Sequence, residues 1–274
     1  MLKTLGVCSW SLSPNGCNDF IEAVHQCKLS YIQIALDPLA SGEWQLEAVV
    51  KSLVGANISI CSGMMTTIGE DYSSLESIKQ TGGLRPDEHW EPNLARARTN
   101  AKIAHQLGLD LVTFHAGFIP EDDANERDTM IDRIQAIADV FGEFGIRVGL
   151  ETGQEHAQTL LELLADPRLA NVGINFDPAN MILYGMDDPA TAIELLKNHI
   201  VQVHMKDAIP TQQPGTWGSE VPVGQGSVDW GHFFRVIQSL SNTINVLIER
   251  ESGTGRIEDI IGAREIAVKH GCPQ

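Results

Sequence analysis

Four ionisable residues stand at the ends of four β-branched stretches. RVGLE ends in Glu151, VGINFD in Asp177, IVQVH in His204 and INVLIE in Glu249. Taken singly, an acidic residue after a strand is a salt-bridge partner or a helix cap. Four such residues in register are harder to dismiss. Three carboxylates buried together without compensation cost several kcal/mol per ion, and a divalent cation removes that cost. Three carboxylates and one imidazole form an oxygen-rich set, which suits Mn²⁺ or Mg²⁺ and tolerates Co²⁺ or Zn²⁺. The expectation is one divalent metal ion held by Glu151, Asp177, His204 and Glu249.

The spacing says what must position them. The four residues lie 26, 27 and 45 positions apart (151 to 177 to 204 to 249). A parallel strand, its loop and its return helix take about 25–40 residues, so these are successive βα units. The stretch IVQVHMKD is the densest, since His204, Lys206 and Asp207 close it. The same alternation runs through the rest of the chain. Strands are expected at 5–10, 31–37, 58–63 and 111–117, ahead of the four already named. A helix opens at Asn18-Asp19, with Phe20, Ile21, Val24 and Cys27 on one face. Further helices are expected at 44–54, 93–107, 126–144, 157–164, 189–198, 233–240 and 257–269. No strand is followed by a hairpin signal, and no GxGxxG follows strand one. The pattern predicts an α/β chain folded as a single (β/α)8 TIM barrel over residues 1–274, close to the roughly 250 residues that such a barrel needs.

Active sites of these barrels sit at the C-terminal ends of the strands. His115 ends strand four, where it could bond a substrate oxygen or serve as a structural histidine. Lys206 shares the parity of His204 and could polarise a carbonyl or pair with Asp207 or a neighbouring carboxylate. Asn180, three residues after Asp177, is a further candidate for substrate. Residues 64–92 are long for a βα loop and carry Gly82-Gly83 and two prolines. They read either as a lid or binding loop with His89 and Trp90 as the contact residues, or as a surface excursion with a short helix at 74–80.

Composition bounds the function. Hydrophobic residues make up 43% of the chain, and the net charge is −17. An acidic chain is a poor ligand for nucleic acid or for anionic membranes, so neither is expected as a partner. No run reaches the length of a membrane span, and MLKTLGVCSW lacks the long apolar region of a secretion signal. The five cysteines are odd in number and include no CxxC. Free thiols in a reducing, cytoplasmic setting are expected.

HAG after strand four, LETG, NFDPAN, VHMKDA, VPVGQGSVDW and IERE together resemble the xylose isomerase-like barrel superfamily, in particular its sugar phosphate isomerase/epimerase group. The resemblance covers nearly the whole chain. It implies that Glu151, Asp177, His204 and Glu249 fall on the family's metal ligands, with Glu151 and Glu249 also serving as acid and base. Where the epimerases and endonuclease IV place a His, this chain has Asn180. Strand three lacks the nuclease's His, and Gln225 stands where many relatives have a carboxylate.

The expected activity is isomerisation or epimerisation of a ketose or related polyol, by proton abstraction beside a carbonyl through a metal-stabilised enediolate. The alternative is a lyase of the inosose dehydratase type. Lesser alternatives are a Schiff-base aldolase using Lys206, an AP endonuclease and a catalytically inactive binding module. The partner is a small sugar or polyol, and relatives of this kind are often homo-oligomers.

Overall fold

The computed structural model describes residues 2–14 and 16–273. Its barrel strands are β1 (Leu2–Cys8), β2 (Tyr31–Ala35), β3 (Ser59–Met64), β4 (Leu111–Phe114), β5 (Arg147–Glu151), β6 (Val172–Phe176) and β7 (Ile200–Met205). After a short antiparallel ribbon of β8 (Asp207–Ile209) and β9 (Ser219–Val221), β10 (Ile244–Ile248) completes the wall. The strands pair in parallel and close in the order β1-β10-β7-β6-β5-β4-β3-β2. Strands covered on both faces read as continuous buried runs, and every residue of β4, β6 and β10 is buried.

Helices surround the barrel. The one at Ala124–Gly142 is capped by Asp123, which accepts from the backbone N–H groups of Asn125 and Glu126. It buries Met130, Ile134, Ile137 and Phe141 at helical spacing against the wall. Trp230–Ser239 does the same with Trp230, Phe233, Phe234 and Ile237. Each such apolar side chain contributes about 1.5–3 kcal/mol on burial.

Three of the differences between expected and observed elements bear on the site. A helix starts at Asp87 and runs to Gln106, not from 93, and Pro92 lies inside it. Asp87 and Glu88 suit its first turn electrostatically. Buried Arg133 bonds Asp87 and stacks its guanidinium 5.4 Å from the Trp90 ring centroid, which holds that turn in place. The single backbone bond lost at Pro92 is a small part of a helix of 20 residues. The irregular stretch after β3 therefore ends where this helix begins, short of residue 92. A short helix at Pro178–Tyr184, N-capped by Asp177, has no counterpart among the expected elements. The ribbon of β8 and β9 is the third difference. Asp207 organises its loop by accepting from the backbone N–H groups of Gly224 and Val228 and from Trp230 Nε1. That role explains why Asp207 does not pair with Lys206.

Two features bear on the site. The first is the root of the lid. Gly83 (φ +69°) and Gly117 (φ +90°) lie in the left-handed region where the two backbones cross. A Cβ on Gly83 would stand 2.0 Å from Ala116 O, and one on Gly117 would stand 2.3 Å from Gly82 O. Only glycine allows that approach. The second is the barrel interior, which is polar where such barrels usually carry branched apolar layers. Gln33, Ser62, Thr113, Asn175 and Gln202 are wholly buried. They are bonded to one another, as buried polar groups must be. Ser62 Oγ on β3 donates to Gln202 Oε1 on β7 at 2.7 Å, across the full diameter of the barrel.

Candidate active site

The four residues singled out by type and spacing converge at the C-terminal rim. Glu151 is the last residue of β5, Asp177 follows β6, His204 lies near the end of β7 and Glu249 follows β10. One atom from each lies within 4.8 Å of the others, and all four residues are buried. His204 Nδ1 is 3.2 Å from Glu151 Oε1, 3.4 Å from Glu249 Oε2 and 3.9 Å from Asp177 Oδ2.

Asp177 shows why the cluster suits a cation. Its Oδ1 caps the following helix, accepting from Ala179 N at 2.8 Å and Asn180 N at 3.0 Å. Its Oδ2 is buried and has no hydrogen-bond partner among the described residues. Burial pushes this carboxyl well above the usual carboxylate range, with Glu249 and Glu151 adding to the rise and Lys206 and His204 opposing it. An orphaned oxygen facing two carboxylates and an imidazole nitrogen is what a divalent ion would satisfy.

The two glutamates differ. Burial raises the Glu249 carboxyl, but Lys206 and His204 more than offset this and hold it well below the usual range. Its Oε1 accepts from Trp10 Nε1 at 2.7 Å and its Oε2 from Lys206 Nζ at 3.0 Å. Glu151 is also drawn below its usual value, against burial, by His204 and His115. Its Oε1 accepts from Asn180 Nδ2 at 3.1 Å, and His115 Nε2 stands 3.5 Å away. Asn180 joins the two sides, because its Oδ1 accepts from Lys206 Nζ at 3.2 Å.

Above the cluster lies a cavity of about 420 Å³. His115, Asn180 and Lys206 line it together with Glu151 and Glu249, as the pattern of strand ends suggested. His89 does not. Its ring packs over Gly69 and its Nε2 lies 3.6 Å from Glu88, outside the cavity lining. The connection between β3 and the helix at Asp87 instead contributes Thr66, Thr67, Glu70 and Tyr72 from its first half. Glu70 holds that half together by accepting from Thr67 Oγ1 at 2.7 Å, Gly83 N at 3.1 Å and Tyr72 Oη at 3.2 Å.

Sequence reasoning missed Trp10, Tyr184 and Glu251, all of which line the cavity. Trp10 had a signal, since it ends the expected first strand at the rim. Tyr184 had none, because it belongs to the unexpected helix after β6. Glu251 forms an ion pair with Lys206 at the cavity rim. Arg250 turns away from the cavity, to Glu220 at 2.7 Å and Asp259 at 2.9 Å.

The model of the xylose isomerase-like TIM barrel matches residues 20–267. The chain belongs to that family. Over 98% of its length it is similar to the xylose isomerase domain protein of Planctomyces limnophilus, with 26% identity, a TM-score of 0.88 and 97% of that chain covered. The uncharacterized protein YihM of Escherichia coli is 26% identical over 186 residues, which are 65% of this chain and 56% of that protein. This chain spans only a little over half the length of the curated relatives that it matches first. A solved L-ribulose 3-epimerase shares the fold at 13% identity and a TM-score of 0.74, over 98% of this chain and 94% of that one. No helix among the described residues is long and apolar enough to cross a membrane.

Proposed function

We propose that this protein is a metal-dependent isomerase or epimerase of a small, uncharged ketose or polyol-derived ketone. The observation that carries this reading is the buried cluster of Glu151, Asp177, His204 and Glu249 at the floor of a cavity, with Asp177 Oδ2 unpartnered. When held by these four residues, a divalent ion such as Mn²⁺ or Mg²⁺ supplies Lewis acidity to adjacent substrate oxygens.

The chain's own groups do the rest. Glu151 and Glu249 flank the cluster from β5 and β10, so they meet a bound substrate from different sides. Glu151 takes the proton from the carbon beside the carbonyl, with His115 close enough to steady the charge. The proton for the opposite face leaves Lys206 Nζ by way of Glu249 Oε2, 3.0 Å away, and the neutral amine regains a proton from solvent as Glu151 releases the one it took. The cavity volume suits a monosaccharide. Its charged lining is Glu70, Glu151, Glu249 and Glu251 against Lys206, with His115 beside them, a poor setting for a phosphate dianion. The free sugar is the better substrate on these grounds.

A lyase of the dehydratase type is the second reading. Buried Lys206 favours it, because an ammonium group at the cavity wall can also protonate a departing β-hydroxyl. Purified protein is mixed in deuterated buffer with a panel of ketoses and inososes, with Mn²⁺ or with EDTA, and followed by NMR. Deuterium gained beside the carbonyl, lost on EDTA treatment, supports the first reading. Loss of water from the product supports the second. Exchange undiminished by EDTA would rule out the metal-dependent mechanism.

A further inference from the structure

The side chain of Gln33 lies inside the barrel beneath His204, far from any solvent. Its amide orientation is decided by its neighbours. Gln33 Nε2 donates to Gly63 O at 3.1 Å and to Thr113 Oγ1 at 2.7 Å. A backbone carbonyl can only accept, so the amide nitrogen must face Gly63 and the amide oxygen must face away. That oxygen stands 2.7 Å from His204 Nε2. An oxygen without a proton at that distance requires an N–H opposite it. A proton of His204 therefore sits on Nε2, and Nδ1, which faces Glu151, Asp177 and Glu249, is the ring nitrogen that a cation would take in exchange for its proton. Asn175 Nδ2 is 3.0 Å from the same ring nitrogen, but it has Glu151 Oε2 as an acceptor at 3.3 Å. The shorter contact decides.

We propose that Gln33 is a positioning residue that presents His204 Nδ1 to the cation, by holding the ring proton on Nε2 from the opposite side of the barrel. The proposal rests on reading the four-residue cluster as a cation site. It assigns a role to a residue that touches neither substrate nor ion. An outer partner of a metal-binding histidine fixes the ring's tautomer and orientation, and losing it typically costs 10–100-fold in metal affinity.

The test uses Zn²⁺ as a diamagnetic probe, in competition with a chromophoric chelator, on the whole chain and two variants. Gln33→Leu removes the acceptor and should weaken Zn²⁺ binding by about tenfold or more. Gln33→Glu keeps an acceptor oxygen and should restore affinity to within a few-fold of wild type. Nitrogen NMR of the zinc-loaded wild type should show the His204 proton on Nε2 and the metal on Nδ1. That signature needs no variant, so it holds even if Gln33→Leu fails to fold. A merely structural role for Gln33 would lower stability without separating the Leu from the Glu variant in zinc affinity. Zinc on Nε2, or wild-type affinity in a folded Gln33→Leu variant, would overturn the proposal alone. Wild-type protein that binds no Zn²⁺ would overturn the cation site and this proposal together.

Discussion

Lys206→Met removes one charge and keeps the length of the side chain. Lys206 is only 3% exposed, and its Nζ lies 3.0 Å from Glu249 Oε2, 3.2 Å from Asn180 Oδ1 and 4.0 Å from Asp177 Oδ2. At 3.0 Å, an effective dielectric of about 20 gives an attraction of roughly 5 kcal/mol to Glu249 alone. The desolvation of the ammonium offsets part of it. Breaking a buried pair on one side still costs about 3–5 kcal/mol, because the remaining carboxylate is left buried and unpaired. In EDTA the variant should be less stable than wild type by about that amount. A divalent cation should reverse much of the loss. With one positive charge gone, the cluster attracts a cation more strongly, so saturating Mn²⁺ should stabilise the variant more than wild type. Ligand at a hundred times its dissociation constant contributes about 2.7 kcal/mol. Urea titrations followed by far-UV circular dichroism, with EDTA and with Mn²⁺, measure both quantities. Equal stability of the two proteins in EDTA would refute the argument, and so would weaker Mn²⁺ binding by the variant.

Other outcomes follow from the same geometry. Asp177→Ala and His204→Ala should lose bound metal, read by elemental analysis, while the circular dichroism spectrum stays that of the barrel. Glu151→Gln should slow deuterium exchange beside the substrate carbonyl by roughly a hundredfold or more; exchange at the wild-type rate would move the base elsewhere. Trp10→Phe removes the donor to Glu249 Oε1, a charged hydrogen bond worth about 1.5–3 kcal/mol, and should lower turnover rather than unfold the chain. Burial raises Glu155 from 4.5 to about 8, against the backbone N–H groups of Gly153 and Gln154, and its Oε1 has no partner. Between those two values the folded chain holds a proton that the unfolded chain has released, so this residue's contribution to stability falls as pH rises through the window. Glu155→Gln should flatten that slope and gain roughly 2–4 kcal/mol at pH 8.5, with little change at pH 4.5, in thermal melts.

The strands and most helices were legible because each obeys a local rule. Apolar spacing near four marks 124–142, and β-branched runs mark β5, β7 and β10. The four clustered rim residues were legible because each ends such a run. The helix from Asp87 was hidden by Pro92, since a local rule reads proline as a break, while the Arg133 contacts that hold the turn come from elsewhere in the chain. Gln33 was hidden more deeply. In YIQIA it looks like the polar half of an alternating strand, and its partner His204 lies 171 positions away. Trp10 reaches Glu249 across 239 positions. Contacts of that range follow from barrel closure, which periodicity implies but does not itemise. His89 failed for the opposite reason. A histidine in a predicted lid invites a role, yet once the segment is helical its ring turns onto Gly69.

The bond from Ser62 to Gln202 has a consequence for how the molecule can be divided. The strands that carry the four clustered residues, β5, β6, β7 and β10, stand side by side in the wall and come from the second half of the chain. The first half supplies none of the four. It supplies Trp10, Gln33, Ser62, Thr113, the lid and His115. Hydrogen bonds at the barrel's centre join one half to the other. A chimera that took its second half from one relative and its first half from another would inherit all four clustered residues and could still misplace them. The fit between halves is written in amide and hydroxyl pairings, which do not interchange as apolar side chains of equal volume do. Grafting a new lid onto this chain should therefore keep β1–β4 and exchange only the loop between Met65 and Pro86.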